Sequence, residues 1–326
     1  MVTIMEALAE AGAFLQKCGV DGAALDAQVL LAHCTGLDRA GLYREGQREL
    51  TREQADNFRA LVRRRAAREP VAYLTGHREF MGLDFLVRPG VLIPRPETEL
   101  LVEEALAQPA KRRNGGTFPG GADAPGIAGG GHARRGGPAG ALRIADAGTG
   151  SGAIAVSLAR FLPAALVYAT DISPAALDTA RQNAFRHGVA ERISFFSGDL
   201  LVPLLERGLA GRLDLVAANL PYVPSAGLPG LMPDVRLYEP STALDGGPDG
   251  LDLYRRLIPQ AKELLAPGGH LLIEIDPSQA PLIPALLDRR DWVYAVRRDL
   301  AGRERLVAAW RNGIKSINDQ SENHLP

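Results

Sequence analysis

The chain has 326 residues, 46% of them apolar, and a formal net charge of −1. That composition suits one sizeable folded domain with a smaller companion, and its near-neutral balance argues against a protein that coats nucleic acid through a global positive field. Two cysteines, Cys18 and Cys34, are too few for a disulfide scaffold, and no Cys-x-x-Cys pair marks a metal site. No run approaches the roughly 18 apolar residues of a membrane helix. Glu6 and Glu10 interrupt the signal-peptide pattern at the N-terminus. The expectation is a cytoplasmic protein whose two thiols are semi-buried and reduced.

Residues 1–75 read as a helical domain. Ile4, Leu8, Ala11 and Leu15 recur at helical spacing, and Ala24, Leu25, Val29, Leu30 and Ala32 do the same. Thr51 can cap a helix that turns Phe58, Leu61 and Val62 inward. Its outer face is basic, with Arg59, Arg63, Arg64, Arg65 and Arg68. That face reads as solvated surface or as a docking surface for an acidic or RNA-like partner. Residues 76–100 read as a connector. Phe80 to Ile93 has the strand formers of a β-hairpin, with Arg88-Pro89-Gly90 as its turn. Pro94-Arg95-Pro96-Glu97-Thr98-Glu99 follows and leads into a helix through Leu101, Val102 and Leu106.

Residues 101–312 form the expected larger domain. Within it, 109–140 is rich in Gly and Pro and cannot bury enough apolar surface to offset its ordering entropy, so it reads as a disordered basic insertion. The tail 313–326 is polar and expected to be disordered. From Leu142 strands and helices alternate. Apolar strands are expected at Leu142–Ala147, Leu166–Thr170, Ile193–Ser197, Leu213–Ala218 and His270–Ile275, with Trp292–Arg297 and Arg305–Trp310 as a closing antiparallel pair. The fold class is therefore α/β: a Rossmann-like, seven-stranded, mostly parallel sheet with an antiparallel terminal hairpin, as in class I S-adenosylmethionine-dependent methyltransferases, plus a small helical N-terminal domain.

Two constellations sit at strand ends, where open α/β sheets place ligands. The first is Gly148-Thr149-Gly150-Ser151-Gly152 after the first strand. Its glycines are not spaced as in pyrophosphate-binding turns, which favours S-adenosylmethionine, whose methionine end can lie along the turn. Asp171 ends the second strand and can accept from both ribose hydroxyls. Asp199 follows the third, placed to meet the adenine amino group, with Leu200 packing on the base. Each acid alone reads equally well as a helix cap; it is the set that points to a cofactor. The second constellation is Asn219-Leu220-Pro221-Tyr222, after the fourth strand. The Asn219 amide oxygen and the carbonyl of residue 220 offer two acceptors, Pro221 fixes the turn, and Tyr222 adds a flat face. This grip suits a planar –NH2 group. Two acceptors orient the nitrogen and stabilise positive charge developing on it, so neither a dedicated general base nor a metal is expected. His77, His187 and His270 read as structural or exposed.

With these motifs the chain resembles the HemK-type protein-glutamine N5-methyltransferases. The resemblance covers most of the chain, including Glu79-Phe80-Met81-Gly82-Leu83 and Tyr238-Glu239-Pro240-Ser241-Thr242-Ala243-Leu244. Pro94 to Glu99 marks the branch that modifies class 1 peptide chain release factors, as against the branch that modifies a ribosomal protein. The resemblance implies that the methyl group of S-adenosylmethionine passes to the glutamine of a Gly-Gly-Gln motif, leaving S-adenosylhomocysteine. It implies that Asn219 and the carbonyl of Leu220 hold the substrate amide beside Tyr222. Arg95, Glu97 and Glu99 read either as ion pairs that hold the connector and cap the next helix or as a wall of the glutamine pocket, and Glu239-Pro240 reads either as a plain turn or as the far wall. A monomer without membrane or stable nucleic-acid partner is the matching expectation. Leu220 departs from the family's usual Asn-Pro-Pro-Tyr and also fits adenine N6-methyltransferases acting on RNA, which keeps that alternative and the ribosomal-protein enzyme in view.

Overall fold

The computed structural model describes residues 2–112 and 141–312, with the side chains of 109–112 excepted. The expected insertion from 113 onward and the tail 313–326 lie outside the described residues. In chain order the elements are α1 (Ile4–Lys17), α2 (Ala23–Thr35), α3 (Arg39–Arg44), α4 (Arg52–Ala66), α5 (Val71–Thr75), β1 (His77–Phe80), β2 (Leu83–Leu86), α6 (Glu99–Arg112), β3 (Arg143–Ala147), α7 (Ala153–Phe161), β4 (Leu166–Asp171), α8 (Pro174–Arg186), β5 (Ile193–Ser197), α9 (Val202–Leu205), β6 (Leu213–Ala218), α10 (Pro233–Tyr238), α11 (Asp252–Leu264), β7 (Leu265–Glu274), α12 (Ile283–Leu286), β8 (Trp292–Arg298) and β9 (Glu304–Arg311). None of the described helices is long and apolar enough to cross a membrane.

The chain divides into two compact units. The first comprises Met1–Arg78, Leu86–Ile93 and Pro229–Ser241. Its core is made by Ile4, Leu15, Leu30, Leu31, Leu42 and Phe58, all buried. Capping boxes start two of its helices: Thr3 with Glu6 on α1, and Thr51 with Gln54 on α4. The basic face expected on α4 is only partly exposed. Arg65 is 5% exposed, and its guanidinium meets Asp26 at 2.7 Å and Asp234 at 2.7 Å. Arg68 bonds Asp234 at 2.6 Å and the Gly19 carbonyl at 2.6 Å. The periodicity of α4 alone does not reveal these acids, because they come from α2 and α10. Cys34 is half-buried, as expected, whereas Cys18, just past the end of α1, is exposed.

The second unit comprises Glu79–Phe85, Pro94–Leu228 and Thr242–Pro326. It holds a seven-stranded sheet in the order β5-β4-β3-β6-β7-β9-β8. All pairs from β5 to β7 are parallel, and β9 pairs antiparallel with both β7 and β8. The strands read as continuous apolar runs because both faces are covered. On β6, Val216 and Ala218 face one core cluster, and Leu215 and Ala217 face the other. The fold class expected from the sequence is the one observed.

The hairpin differs from expectation. It is β1–β2, and it turns at Met81-Gly82, not at Arg88-Pro89-Gly90. Met81 and Gly82 have φ of 54° and 69°, the two left-handed residues of a hairpin turn that matches strand twist. Methionine is a rare choice there, so turn chemistry did not mark it. The Glu99 carboxylate accepts from Met81 N at 2.7 Å and helps hold the turn. Arg88–Val91 forms a separate turn within a loop. α6 also runs through Arg112, past position 109, where composition placed the start of the insertion.

Candidate active site

Two adjacent parallel strands, β3 and β6, build the site. The chain order reverses between them, since β3 pairs with β4 on one side and β6 on the other. That is the switch point at which such sheets open a crevice at their carboxyl ends. The glycine turn leaves β3 there. Gly148, Gly150 and Gly152 all have positive φ, of 71°, 56° and 83°, and glycine meets that need without steric cost. The amides of Gly148 and Thr149 both donate to the Thr170 carbonyl at 2.9 Å, which ties the turn to β4. Asn183 donates to the Ser151 carbonyl at 2.8 Å. Asp171 accepts from Gly150 N and from Ser173 N, each at 2.8 Å, and burial raises its pKa against the pull of those amides.

Beneath the turn lies Asp146, fully buried. Its Oδ2 accepts from Thr149 Oγ1 at 2.6 Å and Ala155 N at 3.1 Å, while Oδ1 is buried without a hydrogen-bond partner. Desolvation pushes this carboxyl up to about 7. Leu200 is buried with φ of 47°. Asp199 is ion-paired with Arg256, so its carboxylate is engaged by a cation from α11.

Asn219 leaves β6 beside Glu274, because the register pairs Ala218 with Ile273, one residue earlier on each strand. The Asn219 side chain donates from Nδ2 to Thr98 Oγ1 at 2.8 Å. Leu220 is buried and packs on the glycine turn: a Cβ built on Gly148 would lie 2.8 Å from Leu220 Cδ2. The Tyr222 hydroxyl donates to Glu274 Oε1 at 3.2 Å. Burial, then the neighbouring carboxylate, push the Tyr222 phenol well above its usual range, while the charges of Arg305 and Arg95 work the other way. The Tyr222 carbonyl accepts from Gln279 Nε2 at 2.9 Å. Pro221 and Tyr222 lie against a glycine loop so closely that a Cβ on Gly246 would come within 2.7 Å of the Pro221 carbonyl.

Glu97 meets Arg303 at 3.7 Å. Glu239 belongs to the first unit, where it is buried and accepts from Ile93 N at 3.2 Å. Sequence reasoning passed over four residues here: Thr98, Asp146, Glu274 and Gln279. Glu274 carried a signal, an acid near the end of the apolar run Leu271-Leu272-Ile273-Glu274-Ile275. It is 1% exposed, and burial pushes its carboxyl up to about 7. The Tyr254 hydroxyl donates to the Glu274 main-chain carbonyl. Among the described residues no group of His, Cys, Asp and Glu is arranged to hold a metal ion.

The sheet order and the glycine turn at its switch point define a class I methyltransferase, and its methyl donor is S-adenosylmethionine. The residues present fit that molecule: a Cβ on Gly150 would meet nothing within 4 Å, so the turn is open at its middle, and Asp146 keeps a buried acceptor without a partner under the turn. A family model described as a methyltransferase domain matches residues 139–302, and one described as the PrmC N-terminal domain matches residues 6–76. The chain is 46% identical over 313 residues to the release factor glutamine methyltransferase of Moorella thermoacetica, covering 95% of this chain and 99% of that one. It is 38% identical over 310 residues to that of Deinococcus radiodurans, covering 95% and 99%. The catalytic domain of human METTL16, solved with an RNA hairpin, shares the fold with a TM-score of 0.50 at 16% identity, over 77% of this chain and 82% of that one. The chain belongs to the release factor glutamine methyltransferase family.

Proposed function

We propose that this protein methylates the side-chain amide nitrogen of the glutamine in the Gly-Gly-Gln motif of class 1 release factors, and so supports translation termination. The observation that carries the reading is the Asn219 amide: its nitrogen is engaged by Thr98, and its oxygen has no protein donor among the described residues. That oxygen and the Leu220 carbonyl accept from the substrate –NH2, with the Tyr222 ring beside them. The amide nitrogen is a weak nucleophile because its lone pair is delocalised. Two acceptors favour pyramidal character and stabilise the charge that builds on nitrogen as the C–N bond forms. S-adenosylmethionine, when bound, supplies a methyl group activated by its sulfonium. The turn Gly148–Gly152, with Asp171, Asp199 and Leu200, holds the donor. Arg95 and Glu97 border the substrate amide. The methylated amide loses its extra proton to water.

In the same reading, residues 1–75 recognise the release factor, residues 76–100 connect, and residues 101–312 carry the chemistry. The protein works in the cytoplasm as a monomer, without a stable nucleic-acid or membrane partner. The test is transfer of labelled methyl from S-adenosylmethionine to purified release factor. It is run beside a factor with Gln→Ala in its Gly-Gly-Gln motif, ribosomal RNA and ribosomal proteins. Label on the intact factor alone is the expected result; label on RNA would overturn the substrate.

A further inference from the structure

The half-buried Tyr222 is held at its main-chain end. Its carbonyl accepts from Gln279 Nε2 at 2.9 Å, and Gly250 lies so close that a Cβ there would come within 2.1 Å of that oxygen. These contacts fix the main chain but leave the ring two side-chain torsions about which to turn. The hydroxyl supplies a second tie, donating to Glu274 Oε1 at 3.2 Å. A phenolic O–H lies in the plane of its ring by conjugation, and a hydrogen bond prefers to be near linear. An acceptor at that point therefore restrains both the place of the ring and its tilt. Glu274 is a firm anchor for it. Glu274 ends β7, pairs with Leu306 of β9, and its main-chain carbonyl accepts from the buried Tyr254 hydroxyl. The next amide, Ile275 N, donates to the Arg305 carbonyl at 2.8 Å.

Stability does not explain a carboxyl at this position. Glu274 is 1% exposed, and its Oε2 is buried without a hydrogen-bond partner. A carboxyl in that state lowers stability relative to an apolar side chain of similar size. We infer that Glu274 is a positioning residue, which fixes the place and plane of the Tyr222 ring beside the substrate amide. This rests on the reading of Tyr222 as part of the wall that meets the substrate –NH2. The bond does not depend on the charge of Glu274, because the neutral and ionised carboxyl both keep a lone pair at Oε1. Without it the ring turns about its own torsions, and the nitrogen it borders is held less well for attack on the methyl group.

The experiment compares kcat, KM for release factor and the melting temperature at mildly alkaline pH in Glu274→Leu, Glu274→Gln, Tyr222→Phe, Tyr222→Ala and the Glu274→Leu/Tyr222→Phe double variant. Glu274→Leu is expected to lose about 10–100-fold in kcat, with KM little changed. It should nevertheless melt at or above the wild-type temperature, because an unmet buried carboxyl is gone. A merely structural role predicts the opposite pair, a lower melting temperature with kcat retained. Glu274→Gln keeps a carbonyl acceptor and should recover most of the lost kcat. Tyr222→Phe removes the other end of the bond and should resemble Glu274→Leu. The double variant should be no slower than the slower single one, because groups acting through one bond are not additive. Wild-type kcat or a lowered melting temperature in Glu274→Leu, or losses that multiply in full in the double variant, would overturn the positioning role. Turnover near wild type in Tyr222→Ala would instead overturn the reading of Tyr222 beneath it.

Discussion

The side chain of Leu220 occupies the space over Gly148 where any other residue would carry its Cβ, 2.8 Å from Leu220 Cδ2. The Asn219–Tyr222 loop and the glycine turn are thus in van der Waals contact, and neither can change size independently.

Gly148→Ala is expected to damage both motifs. Alanine at φ of 71° is strained by roughly 1–2 kcal/mol, and overpacking against Leu220 adds about 1–3 kcal/mol. S-adenosylhomocysteine affinity measured by calorimetry should fall by at least about tenfold. Adding Leu220→Ala should restore part of it by removing the clash. An unchanged affinity in the single variant would mean that the turn does not hold the donor.

Gln279 ties the Asn219–Tyr222 loop through its bond to the Tyr222 carbonyl, with a second bond to the Asp249 carbonyl at 3.3 Å. It is 1% exposed. Gln279→Ala leaves those carbonyls unmet and should cost about 1–3 kcal/mol in urea denaturation, with a fall in kcat. Gly250→Ala should be worse, since its Cβ would lie 2.1 Å from the Tyr222 carbonyl oxygen.

Asp146 and Glu274 give stability a defined pH dependence. Burial pushes both carboxyls up to about 7, whereas in the unfolded chain they titrate at about 4. Between those values the folded protein binds more protons than the unfolded one, so stability falls as pH rises through about 4 to 7 and levels off above. Each carboxyl accounts for about 3–4 kcal/mol of that fall. Glu274→Gln should flatten the decline by such an amount in denaturation curves taken at about pH 5 and about pH 8. An identical decline in variant and wild type would show that Glu274 titrates in the ordinary carboxylate range.

In the first unit, Arg65 between Asp26 and Asp234 is a buried cation with two anionic partners. Arg65→Ala should destabilise that unit by about 3–5 kcal/mol, since it strands carboxylates at low exposure. Exchanging Arg63, an exposed neighbour on α4, should change stability by less than about 0.5 kcal/mol. Thermal melts of the two variants side by side decide this; equal shifts would mean the pairs contribute nothing.

The sequence by itself determined the sheet and the places where chemistry leaves it. Runs such as Leu213–Ala218 are apolar on both faces because helices cover both, and the glycines of 148–152 record a local need for positive φ. Such demands are met within a few neighbouring residues, so they can be read in order along the chain. Tertiary structure alone decided what surrounds Asn219. Thr98 arrives from 121 positions away, and Glu274 arrives through the β6–β7 register. It also decided that Arg65 is buried and that the hairpin turns at Met81-Gly82. The reason is the same in each case: a hydrogen bond or ion pair between distant segments depends on strand register and helix packing, and these follow from burying the whole core at once rather than from any local pattern.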